Sequence, residues 1–180
     1  MKQSYWLALG LPFLTALLFA QPAEEASSRS FTQLASAIQT ELASHGERVL
    51  GRDAYHWSTR LEKMEDCRAE FSVRVIDNFA EDTTRTETVQ FSMGALDPYS
   101  IALQKSYLLL NCNSKENCVY STSTCTKNKD GIVTDCASAS PKRLPSFRLE
   151  FDGDAASASR LEQAVRQAVD VCRAPKAVTF

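Results

Sequence analysis

Phe147-Arg148-Leu149-Glu150-Phe151-Asp152-Gly153-Asp154, running on through a small-residue segment to Cys172, decides how this chain folds. Phe147, Leu149 and Phe151 alternate with Arg148 and Glu150, the period-two signature of a strand with one buried face. Asp152-Gly153-Asp154 breaks that run, and Asp154 is placed to cap a helix by accepting from its free amides. From Ala155 onward the apolar positions Ala158, Leu161, Val165, Ala168, Val169 and Cys172 recur at spacings of three and four. That narrow stripe predicts an amphipathic helix closing against a core, with a cysteine on its inner side.

Upstream, the same periodicities recur. Ser30 followed by Gln33 forms a capping-box pair, and Phe31, Leu34, Ile38 and Leu42 give a helix ending near Gly46. Cys67, Ala69, Phe71, Val73 and Val75 alternate with charged and polar residues, as expected of an antiparallel sheet with one wet face. Further strands are read around Val89–Met93, at Tyr99, Ile101 and Leu103, from Tyr107 to Cys112, at 118–120, at 132–136 and at 147–151. Residues 113–117 and 127–131 are read as hairpin turns, the second on Asp130-Gly131. Residues 137–145 are read as an exposed loop. Between 47 and 64 no element is assigned. There Tyr55, His56 and Trp57 form the densest aromatic cluster outside the N-terminal segment, read as a plug over the end of the sheet or as a ligand or partner surface.

The N-terminus has a different character. Lys2 precedes an apolar run over 6–20, with small residues at Ala20 and Ala23. The run falls short of the roughly 20 residues that span a bilayer and contains Pro12, so a cleaved signal peptide over 1–20, with cleavage as late as 23, is favoured over a retained anchor. A leader over 21–29, a single α+β domain over 30–173 and a frayed tail over 174–180 follow. The expected location is the periplasm or the extracellular space. With 20 basic and 22 acidic residues, the charge gives no case for nucleic acid.

Six cysteines fit an oxidising compartment: Cys67, Cys112, Cys118, Cys125, Cys136 and Cys172. Their spacings lack the close pairs of a zinc site. The two presumed hairpins suggest Cys112–Cys118 and Cys125–Cys136, leaving Cys67–Cys172; a rival joins Cys172 to Cys118.

No catalytic, cofactor or metal constellation emerges. The chain has no G-x-S-x-G elbow, no H-E-x-x-H and no glycine-rich phosphate loop. His45 or His56 could be matched with many serines and aspartates, but no spacing selects a triad. Asn128, Asp130 and Gly131 are a poor calcium loop, interrupted by lysines and lacking the distal glutamate.

Phe91-Ser92-Met93, then Leu96-Asp97-Pro98, with Phe147 to Phe151 before the helix ending in Cys172, resembles exported bacterial domains of unknown function with a pleckstrin-homology-like layout. The resemblance implies about seven antiparallel strands in a sandwich or partial barrel, with an N-terminal helix and a C-terminal closing helix. It implies binding more than chemistry. Three functions are therefore weighed. The first is an exported, disulfide-stabilised module binding a protein or envelope component. The second is a carrier of a small apolar ligand, in a pocket lined by residues such as Phe71, Phe91 and Leu110 beneath the Leu161–Val165 stripe. The third is a hydrolase, which would need His56 in a cleft beside a carboxylate and a hydroxyl.

Overall fold

The computed structural model describes residues 30–51, 55–77, 83–104, 106–113, 117–127 and 141–174. The expected signal, the leader, the turn at 130–131, the strand at 132–136 and Cys136 lie outside them. Among the described residues the chain is α+β, with helix α1 at Phe31–His45, helix α2 at Ala155–Arg173 and nine strands, against the seven read from sequence. The strands are β1 Glu47–Leu50, β2 Tyr55–Glu65, β3 Arg68–Asp77, β4 Thr83–Ser92, β5 Ala102–Leu103, β6 Tyr107–Asn111, β7 Val119–Lys127, β8 Lys142–Leu144 and β9 Ser146–Glu150.

Pairing is antiparallel throughout. A large sheet runs β1-β2-β3-β4-β7-β8 and a small one β5-β6-β9, and neither closes into a barrel among the described residues. β6 and β7 therefore do not pair as the hairpin read across 113–117 requires. The chain passes from the small sheet at β6 to the large one at β7, and the Cys112–Cys118 disulfide spans that crossing. The loop read at 137–145 contains a strand, β8, which edges the large sheet.

Local chemistry sets the helix ends as expected. Ser30 and Gln33 make both bonds of the capping box, and the Asp154 carboxylate accepts from the Ser157 amide. Gly46 ends α1 with an ordinary φ of −77°, so left-handed freedom is not its role. A Cβ there would lie 2.2 Å from the Thr59 carbonyl oxygen, so only glycine lets the end of α1 sit against β2.

The inner face of the large sheet carries Leu61, Ala69, Phe71, Val73, Val89 and Phe91 into one core with the small sheet and both helices. Phe71 and Phe91 from the large sheet meet Phe147 from the small one, with ring centroids 5.5 to 5.9 Å apart. Two disulfides staple this core: Cys67–Cys172 joins the β2–β3 turn to the last turn of α2, and Cys112–Cys118 spans the crossing. Cys125 is also bonded, and the expected pairing with Cys136 lies outside the described residues. The free edge of β2 beyond β1 is guarded by a bulge at Glu62 and by Arg60, Lys63 and Glu65, features that discourage edge-to-edge association.

Candidate functional site

The aromatic cluster is not a plug. Tyr55, His56 and Trp57 open strand β2, where they pair with Leu50, Val49 and Arg48 on one side and Asp77, Ile76 and Val75 on the other. Strand alternation divides them. Trp57 packs against the rim of the core, whereas His56 points to the opposite face.

The structure brings together a different histidine. Glu41 and His45 of α1 face Asp154, Ser157 and Arg160 at the start of α2. Ser157 Oγ lies 3.2 Å from His45 Nε2 and accepts from Arg160 Nη2 at 2.9 Å. Arg160 also donates to Glu41 through Nε at 2.5 Å, and the Asp152 amide donates to the His45 carbonyl at 2.6 Å. A serine beside a histidine suggests a nucleophile and its base. Its surroundings argue for a clamp. Ser157 is only 3 % exposed, and the Gly153 backbone passes so close that a Cβ there would lie 3.3 Å from the His45 ring. The hydroxyl is therefore closed to solvent.

The clamp also has a titratable end. The Ser157 backbone amide, foremost, and the Ser157 side chain hold the Asp154 carboxyl below its usual 3.8. A depressed carboxyl stabilises the fold above the unfolded value, and that contribution disappears as pH falls through the folded one. Asp154→Asn keeps an oxygen for the cap but removes the charge. Its melting temperature should lie below that of the parent at neutral pH, and the two acid limbs should converge. Parallel curves from neutral pH downward would contradict this role.

A third locus is the turn Asp97-Pro98-Tyr99-Ser100. Tyr99 and Ile101 were expected to share a strand with Leu103, but β5 holds only Ala102 and Leu103. Tyr99 instead stands at the apex of the turn, 93 % exposed. The turn is braced from several sides. The Ser100 amide donates to the Asp97 carbonyl at 3.2 Å and the Tyr99 amide to Asp97 Oδ1 at 3.0 Å. The Asp97 amide donates to the Asn111 carbonyl at 2.9 Å, and Asn111 Nδ2 donates to the Ser100 carbonyl at 3.3 Å. From α2, Arg166 donates to the carbonyls of Pro98 and Ile101.

Two surface grooves flank α1, one of about 490 Å³ against α2 and one of about 300 Å³ against β2. The second overlies Thr59, whose hydroxyl has no partner among the described residues but is 0 % exposed and so sealed from the groove. Among the described residues no cluster of His, Cys, Asp and Glu is arranged to hold a metal, and no helix is long and apolar enough to cross a membrane. No family model, curated protein or solved structure matches this chain.

Proposed function

We propose that this protein is an exported, disulfide-stabilised binding module that engages a protein or an envelope component through the Asp97–Ser100 turn. The observation that carries this reading is Tyr99, 93 % exposed at the apex of a turn fixed from the backbone, from Asn111 and from α2. Tyrosine supplies a large amphipathic contact area at low entropic cost, and a turn already ordered before binding loses little freedom on association. Export is supported by the disulfides, which persist in oxidising compartments. The order of helix, antiparallel strands and closing helix supports a pleckstrin-homology-like reading.

The alternatives fare less well. A carrier needs space between the sheets, where Phe71, Phe91 and Phe147 pack ring to ring. A hydrolase built on His56 needs a carboxylate and a hydroxyl beside it, whereas Val49 and Ile76 are its cross-strand neighbours.

The test is a photoreactive phenylalanine at position 99 in producing cells, with exposed position 159 on α2 as comparison. A discrete adduct from 99 that is absent from 159 is expected, while Tyr99→Ser leaves the stability of the purified protein within about 0.5 kcal/mol. Identical adduct patterns from both positions would overturn the proposal.

A further inference from the structure

The outer face of the large sheet carries rows of hydroxyls together with an amide and guanidiniums. The register sets Ser72, Thr88 and Thr122 in one row across β3, β4 and β7. Arg74, Thr86 and Thr124 form the next. On the other side of the first row, Gln90 and Tyr120 stand beside Arg143, whose guanidinium lies 4.9 Å over the Tyr120 ring. Side chains in such rows repeat on the order of 5 Å, the scale of one sugar unit. Both helices and the small sheet pack on the opposite face, and Arg74, Gln90, Thr122 and Thr124 are exposed.

Charge narrows the class. The chain as a whole is −2, yet the carboxylates directed to this face are already engaged. Glu47 pairs with Arg60 and Glu65 with Lys63, while Glu70 is held by Gln90 at 2.9 Å and keeps its charge, so Arg68, Arg74 and Arg143 still leave the face net positive. Arg68 and Arg74 have no ion-pair partner among the described residues. Two unpaired guanidiniums and a third stacked on an exposed tyrosine favour an anion, since a guanidinium matches a carboxylate in a two-pronged bond. Rows of hydroxyls and an amide suit the hydroxyls of a sugar. A protein interface would want an apolar anchor at its centre, and a membrane surface would want protruding apolar side chains; the middle of this face has neither.

We propose that the outer face of the large sheet binds an acidic polysaccharide, its carboxylates on Arg68 and Arg74 along β3 and its hydroxyls on the Ser72-Thr88-Thr122 row that crosses that strand. This surface is independent of the Tyr99 turn, so either can fail alone.

The test passes purified protein over immobilised polygalacturonate, with neutral dextran, polyglutamate and anionic phospholipid vesicles as comparisons. Saturable binding to polygalacturonate is expected, weakening with salt, and above that to polyglutamate. Arg68→Glu with Arg74→Glu should weaken it about tenfold or more, since charged hydrogen bonds are lost and repulsion replaces them. Thr88→Val with Thr122→Val should weaken it as well, with net charge unchanged. The face is solvated, so these variants keep the parent's melting behaviour. Absence of binding to polygalacturonate would overturn the proposal, as would equal binding to polyglutamate or to vesicles. So would affinity unmoved by either pair of substitutions.

Discussion

Replacing Cys67 and Cys172 together by serine is expected to lower the melting temperature by roughly 10–20 °C, more than loss of the Cys112–Cys118 bridge. The reason lies in the unfolded chain. The first bridge joins residues 105 apart in sequence and the second residues 6 apart. In the chain-entropy model a loop near a hundred residues is worth about 4–5 kcal/mol and one of six residues only about 2–3 kcal/mol. A second contribution is local. Asp66 and Cys67 form the two-residue turn between β2 and β3, with φ of 47° and 61°. Such turns favour glycine at the second position, because an L side chain there costs roughly 1–2 kcal/mol. Cysteine occupies that place and is tied to α2. Once the bridge is gone, the side chain leaves its strain without its function. Cys67→Gly with Cys172→Ser should therefore melt several degrees above the double serine variant. Calorimetry on the variants reads both effects. A smaller drop from the long bridge than from the short one would contradict the argument.

That turn also illustrates which parts of the fold can be read from sequence. Alternation at 69–75 and 147–151, and the stripes of α1 and α2, report burial directly, because each depends on residues a few positions apart. The same logic fails for β2. Its inward positions are Trp57, Thr59, Leu61 and Met64, so a threonine interrupts the apolar series and the bulge at Glu62 shifts its phase. A pattern broken twice in eleven residues does not read as a strand. The segment after Cys112 is subtler. A polar stretch between two apolar strands looks the same whether it turns back or crosses to another sheet, and only long-range pairing separates the two. The loci considered for function were hidden for the same reason. Ser157 and His45 are 112 residues apart and Arg166 is 68 from Pro98. The rows of threonine on the outer face exist only once β4 and β7 are set in register.

Phe71→Ala is expected to cost about 3–5 kcal/mol, the range for removing a fully buried aromatic ring. Phe71 is 1 % exposed and lies on a central strand between Leu61 and Val89. Its ring stacks on Phe91 at 5.6 Å and 12° and meets Phe147 at 5.5 Å across the space between the sheets. Truncation therefore removes transfer energy, opens a cavity and cuts one of the contacts by which the sheets hold each other. A domain of this kind has about 5–15 kcal/mol in total, so the loss is a large share of its stability. Phe71→Leu keeps most of the volume and should cost much less. The pair should also be coupled. Phe71→Ala and Phe147→Ala made together should cost less than the two separate losses combined, by about 0.5–1.5 kcal/mol, because one ring contact is removed twice in the separate measurements. Urea unfolding of the four proteins gives the cycle. A Phe71→Ala loss below about 1.5 kcal/mol would mean that the space between the sheets is not tightly filled. In that event the carrier reading regains its pocket, and the exposed surfaces lose their claim as the places where this protein acts.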